Sequence, residues 1–259
     1  MTRHPNQVTE DEIDAAEEMR ERGEFAAAFA LTQDMLNRAQ DDGTRMRLLF
    51  DLLSCSTRLG LEDITRRAIS DLEKLPDPEI SRVFVDLIQS ISYIAFGKYQ
   101  EALQLIDVNL RSNFMECDDF QVWNYEYLAY RGSALVGLAR CEEALCALNK
   151  AHDMYPDGKR ETSILIDQAN CLLALHRYDE AFEAARQVLT RGDEEMATLA
   201  MQYMAECRMW QSRVPEALEI YIATEKRLPC RLVKEERIRS GIKTAFAHLE
   251  RLHPQGKPS

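Results

Sequence analysis

The chain is 259 residues long, 46% hydrophobic, and carries a formal net charge of −12. It holds only 10 Gly and 8 Pro, well under average usage, which excludes a collagen-like, a turn-rich all-β or a Gly-rich linker protein. The apolar share suffices to fill a core and excludes disorder over most of the length; the acidic balance argues against non-specific nucleic-acid binding, which needs Lys and Arg to neutralise phosphates.

In chain order, residues 1–8 read as a tail, and Thr9-Glu10-Asp11-Glu12 carries the capping-box signature of a first helix. One pattern then recurs: a small residue, an aromatic or apolar residue two positions on, and Ala three positions after that. Its copies are Gly23-Glu24-Phe25-Ala26-Ala27-Ala28, Gly97-Lys98-Tyr99-Gln100-Glu101-Ala102, Ala139-Arg140-Cys141-Glu142-Glu143-Ala144, His176-Arg177-Tyr178-Asp179-Glu180-Ala181 and Ser212-Arg213-Val214-Pro215-Glu216-Ala217. A weak copy is expected within Leu59-Gly60-Leu61-Glu62-Asp63-Ile64, with Ile64 as its anchor. The anchors 28, 64, 102, 144, 181 and 217 are then 36, 38, 42, 37 and 36 residues apart, a regularity that marks an array of repeats.

Each copy reads as two amphipathic helices joined at the small residue. In the fourth, Leu128, Gly132 and Leu135 line one helix, and Ala144, Leu145, Leu148 and Ala151 the next. Asp77-Pro78-Glu79 supplies an N-cap before a proline, Pro156-Asp157-Gly158 stops a helix, and Pro215 suits a first helical turn. Asn109 to Trp123 reads as a longer loop or extended helix end, with Trp123 its anchor, and as a candidate joint between two three-unit halves. After Pro229, Leu232, Ile238, Ile242, Phe246, Leu249 and Leu252 recur at helical spacing opposite Arg231, Lys234, Arg237 and Lys243. A capping helix over 231–252 with a basic outer face follows, and 253–259 reads as a frayed tail.

On these residues the chain resembles the tetratricopeptide repeat, a helix–turn–helix unit of about 34 residues. That motif sets a small residue midway along the first helix against a small residue on the second. The unit beginning at Tyr125 matches through Leu128, Gly132, Leu135, Cys141, Ala144, Leu148, Ala151 and Pro156. The unit beginning at Thr198 matches through Met201, Met204, Ala205, Val214, Ala217, Tyr221 and Pro229. The resemblance covers 9–230. It implies an all-α solenoid of about six such repeats with a C-terminal capping helix, and the role of a scaffold or adaptor for a protein or peptide partner.

In that family the inner face of the first helices holds the ligand. Carried over, this face offers Met46, Leu49, Leu53 and Ser56 in the second unit, and Phe84, Leu87, Ile91 and Ile94 in the third. The fourth offers Glu126, Ala129, Ser133 and Val136, the fifth Ser163, Ile166, Asn170 and Leu173, and the sixth Leu199, Gln202, Glu206, Met209 and Trp210. The candidate partner-binding residues are thus Leu49, Phe84, Leu87, Ile91, Ser133, Asn170, Gln202, Glu206 and Trp210. Asn170 alone matches the family's Lys/Asn/Arg clamp for chaperone tails, so a chaperone co-factor is disfavoured. A register shift of one in the second unit would move Leu49 and Leu53 into the core.

Phosphate-cradling glycine loops, dinucleotide fingerprints, zinc-protease and serine-hydrolase motifs are all missing. His176 falls on a turn and His152 near a helix end. Glu142-Glu143 and Glu194-Glu195 sit at helix starts, where acids complement the dipole. No catalytic residue, metal site or cofactor is implied. Seven cysteines in unpaired spacing read as free thiols. With no secretory h-region and no apolar run long enough to span a bilayer, the reading is cytoplasmic, without membrane or nucleic-acid partners. Residues 1–42 carry a net −7 and residues 226–259 a net +6. Two rival readings therefore remain: a homo-oligomer pairing these two ends, and a chaperone-like module that sequesters an apolar client segment.

Overall fold

The computed structural model describes residues 8–75, 80–111, 121–154, 160–230 and 232–252. Among them thirteen helices follow one another and no strand forms. They are α1 (Glu10–Glu21), α2 (Phe25–Arg38), α3 (Asp42–Arg58), α4 (Glu62–Leu72), α5 (Ile80–Ala95), α6 (Tyr99–Leu110), α7 (Gln121–Gly137), α8 (Cys141–Met154), α9 (Glu161–Ala174), α10 (Tyr178–Arg191), α11 (Glu194–Trp210), α12 (Val214–Glu225) and α13 (Glu235–Leu252). The chain divides into two compact units, Met1–Asn113 with three helix pairs and Phe114–Ser259 with three pairs and α13. Most of the expected 109–123 joint, together with Asp77-Pro78-Glu79 and Pro156-Asp157-Gly158, lies outside the described residues. Trp123 belongs to α7 rather than to a loop.

One turn closes all six helix pairs. Gly23, Gly60, Gly97, Ala139, His176 and Ser212 take positive φ, between 57° and 79°. In each, the N–H of this residue bonds the carbonyl three back, and the next N–H bonds the carbonyl five back. His176 reaches Leu173 at 3.1 Å and Arg177 reaches Leu172 at 2.8 Å; Gly97 reaches Ile94 at 3.0 Å and Lys98 reaches Tyr93 at 2.8 Å. This Schellman closure satisfies carbonyls that the end of the first helix would otherwise leave open. Glycine enters the left-handed region freely. Ala139, His176 and Ser212 do so at a cost of about 1 kcal/mol each.

Five residues after each turn stands the small residue of the second helix: Ala28, Thr65, Ala102, Ala144, Ala181 and Ala217, none more than 1% exposed. The second unit's anchor is therefore Thr65, not Ile64, and the turns are 37, 37, 42, 37 and 36 residues apart. Seven residues before each turn lies its counterpart on the first helix: Ala16, Leu53, Ser90, Gly132, Ala169 and Ala205, all buried. The contact is closest at Gly132, where an added Cβ would lie 2.4 Å from Leu148 Cδ2 and 2.5 Å from its Cγ. Leu53 is the exception in size. In its unit, the Ser56 and Thr65 hydroxyls hydrogen-bond at 2.8 Å, and Thr65 donates to the Leu61 carbonyl at 3.1 Å.

The helix starts follow two schemes. Thr9 and Glu12 form the expected capping box, and Asp41 and Asp193 accept from the N–H of Thr44 and Met196. Arg38 beside Glu12, then the Thr9 N–H, holds the Glu12 carboxyl down at about 2. The helices that follow the left-handed turns have no room for a side-chain cap. In the second unit, Arg140, Arg177 and Arg213 instead reach Glu143, Glu180 and Glu216 across the first helical turn, each at 2.6 Å. Such exposed pairs are screened by solvent and contribute little to stability.

Cores form where successive pairs stack. In the first unit, Leu49, Leu52, Leu53, Ala68, Ile69, Leu72 and Val85 make one cluster, and Ile13, Ala16, Met35 and Leu48 another. In the second, Ala205, Ala217, Tyr221, Val233 and Ile238 join α11 and α12 to the terminal helix. That helix begins at Glu235 rather than 231, and its Phe246, expected on the buried face, is 49% exposed. Leu232, also expected there, precedes the helix and is 40% exposed.

Replacing the strained turn residues tests this account. Ala139→Gly and Ser212→Gly are each expected to stabilise the protein by about 0.5–1 kcal/mol, because relief of left-handed strain exceeds the entropy a new glycine brings to the unfolded chain. Gly132→Ala is expected to destabilise by about 1–3 kcal/mol through the Leu148 clash. Urea unfolding followed by far-UV circular dichroism reads all three.

Candidate functional site

The first helices of consecutive repeats meet side by side, in a register set by the repeat. In these contacts a residue on one first helix meets the residue 34 or 35 later, two or three residues less than the 37-residue step. Phe50 on α3 packs edge-on against Phe84 on α5, with ring centroids 4.3 Å apart and planes at 87°. Thr57 and Ser92 hydroxyls lie 3.3 Å apart on the same two helices. On α7 and α9, Ser133 donates to Asp167 at 2.5 Å. Arg160, just before α9, lies 3.8 Å from Glu126.

In the first unit this row is mainly apolar. The corrected register puts Arg47, Phe50, Ser54 and Thr57 on it instead of Met46, Leu49, Leu53 and Ser56. Leu49 and Leu53 are each 1% exposed and belong to the core, and Ser56 is buried with Thr65. Leu49 is therefore withdrawn as a groove residue. Phe84, Ile91 and Ile94 are half-buried, whereas Leu87 is buried and supports them from below.

In the second unit the row is mixed, with polar groups among half-buried Val136, Leu173, Leu199 and Met209. Glu126, Ser133, Asn170 and Glu206 are half-buried; Gln202 is buried and donates to Glu206 at 2.9 Å. Arg237 of α13 donates to the other Glu206 oxygen at 2.8 Å. The Arg160 guanidinium lies over the Tyr130 ring at 3.6 Å, and the Arg160 backbone N–H donates to the Tyr125 hydroxyl at 3.1 Å. Burial pushes the Asp167 carboxyl above the usual carboxylate range, against the Ser133 hydrogen bond and the charge of Arg160. Burial likewise raises the Tyr203 phenol to about 12. Trp210 stands apart at the helix end, 64% exposed and parallel to the Tyr178 ring with centroids 6.3 Å apart. His176 bonds the Tyr178 hydroxyl at 2.7 Å.

The structure thus brings Ser133 together with Asp167, and Gln202 and Glu206 with Arg237. It keeps Trp210 with the Tyr178 ring. Asp167, Arg160 and Arg237 were not among the sequence candidates. The lateral step finds two of them: adding 34 to Ser133 gives Asp167, and adding 34 to Glu126 gives Arg160. Arg237 stands 31 residues after Glu206 and is not found that way.

Among the described residues, no group of three His, Cys, Asp or Glu side chains is placed to hold a metal. No helix among them is long and apolar enough to cross a membrane. Six described cysteines are free thiols, of which Cys55, Cys171 and Cys207 are buried, while Cys141, expected at a core position, is only half-buried.

No family model matches the chain, and no curated protein does. Solved structures do. The apo form of RapI aligns over 93% of this chain and 71% of its own, with a TM-score of 0.68 at 8% identity. A mutant of MamA aligns over 72% of this chain and 99% of its own, at TM-score 0.49 and 19% identity. A TPR protein from Thermus thermophilus aligns over 92% and 98%, at TM-score 0.40 and 18% identity. At such identities the likeness is one of fold. The RapI likeness and the six identical turns make this chain an all-α repeat protein of tetratricopeptide-like fold.

Asp167 gives the site a stability signature. Its raised carboxyl favours the protonated form, so its stabilising effect is present below the ordinary carboxylate range and lost as pH rises through its folded value. Asp167→Asn is accordingly expected to raise the urea midpoint at neutral pH, by about 1 kcal/mol, with the gain vanishing in acid. A lower midpoint at neutral pH would contradict the burial argument.

Proposed function

We propose that this tetratricopeptide-like chain is a non-catalytic scaffold or adaptor that holds a segment of a protein partner on the inner face of its first helices. The supporting observation is the row of half-buried side chains that lateral packing creates there: Phe50, Phe84, Ile91 and Ile94 in the first unit, and Ser133, Asp167, Asn170 and Glu206 in the second. Half-buried apolar side chains side by side on packed helices suit an apolar partner face. Polar groups fixed by neighbouring helices suit recognition by hydrogen bonds at little entropic cost. The free thiols fit a reducing, cytoplasmic setting.

The test is an affinity pull-down with the wild type beside Phe84→Glu/Ile91→Glu, after circular dichroism has shown the variant folded. Loss of a partner from the variant supports the reading. A partner retained equally by both would remove the first unit's inner face from it.

A further inference from the structure

The inner face of the second unit contains one group whose bonding is half complete. Asp167 sits mid-way along α9, flanked by α7 and α11. One carboxylate oxygen, Oδ2, accepts the Ser133 hydroxyl at 2.5 Å. The other, Oδ1, has no hydrogen bond among the described residues, and no Lys or Arg there forms an ion pair with the carboxylate. The nearest charge that acts on it, Arg160, is engaged elsewhere, over the Tyr130 ring at 3.6 Å and 3.8 Å from Glu126. Asp167 is half-buried, and burial is the main cause of its raised carboxyl.

A carboxylate withdrawn from water without a cationic partner is costly. Glu206, another acid on this face, is handled differently. Glu206 is saturated by Gln202 at 2.9 Å and Arg237 at 2.8 Å. One turn along α9 from Asp167, on the same helix face, the Asn170 side-chain amide also has no hydrogen bond among the described residues and is half-buried. An anionic acceptor and a neutral donor–acceptor therefore stand side by side with spare capacity. What completes both is a cationic side chain with an amide beside it.

Resting on the groove reading above, the geometry points to a specificity subsite: Asp167 receives the ammonium or guanidinium of one Lys or Arg in the partner segment, and Asn170 bonds that residue's main-chain amide. Charge complementarity selects the occupant, because neutral or acidic side chains leave Oδ1 unpaired and desolvated, whereas a cation converts a cost of the free protein into binding. Ser133 orients the carboxylate by fixing Oδ2.

The experiment is an NMR titration of the full chain with N-acetyl-lysine methylamide and its uncharged isostere N-acetyl-norleucine methylamide, up to roughly tens of millimolar, as befits ligands this small. The lysine compound is expected to shift the Asn170 side-chain amide and the Ser133 and Asp167 backbone amides saturably, and to bind about tenfold tighter than the norleucine compound. Asp167→Asn should abolish that difference while the variant stays folded and becomes more resistant to urea at neutral pH. Glu183→Gln, which removes an exposed carboxylate paired with Arg186 on α10, should leave binding unchanged. Equal binding of the two compounds, absence of saturable shifts at these residues, or an equal loss in Glu183→Gln would overturn the subsite. A pull-down that depends on Phe84 and Ile91 alongside a flat lysine titration would sink the subsite alone and leave the groove reading standing.

Discussion

The left-handed residue at the end of each first helix is the constraint on which the rest depends. It reverses the chain within three residues, so the second helix must return along the first. The side chains seven before and five after the turn are then buried in every pair. At 36 to 37 residues per step within each unit, this geometry lays the first helices of successive repeats side by side. Both the small-residue pairs and the lateral contacts follow from it. Glycine supplies the conformation freely at three turns. At the other three the packing of the pair outweighs the strain; the buried residues Gly132, Ala169 and Ala205 belong to these pairs, and at Gly132 an added Cβ would meet Leu148.

Lateral register decides what chemistry the inner face can carry. Because contacts run about 34 residues forward, each residue of the row has a specific partner on the next helix, and the composition of the row differs between the units. In the first, phenylalanine meets phenylalanine and isoleucines stand beside them, a surface suited to apolar burial. In the second, hydroxyl meets carboxylate and carboxylate meets guanidinium, a surface suited to directional recognition. Leu87, Ala129, Ile166 and Gln202, carried over as inner-face positions, are buried instead.

Much of this was legible in the sequence, for a physical reason. The turn demands a residue tolerant of positive φ, and close helix approach demands a small one five positions later, so both leave marks at fixed spacing. The reading failed where those demands are met differently. In the second repeat, Gly60 marked the turn correctly, but the buried small residue is a threonine with its hydroxyl satisfied internally, and neighbouring Ile64 was the more conspicuous anchor. That single-residue slip carried Leu49, Leu53 and Ser56 from the core to the inner face. The pairing of Ser133 with Asp167 was not legible, because periodicity shows which face a side chain occupies but not which polar neighbour it meets. Leu232 and Phe246 were assigned to the buried face from spacing alone; Leu232 precedes the terminal helix, and both are exposed.

The most direct test of lateral register is a double-mutant cycle between Phe50 and Phe84, using Phe50→Leu, Phe84→Leu and the pair. Side-by-side packing at the 34-residue step predicts a coupling of about 0.5–1.5 kcal/mol in unfolding free energy. Additivity within about 0.3 kcal/mol would show that the two rings do not meet, and would contradict the register from which the whole inner face is built.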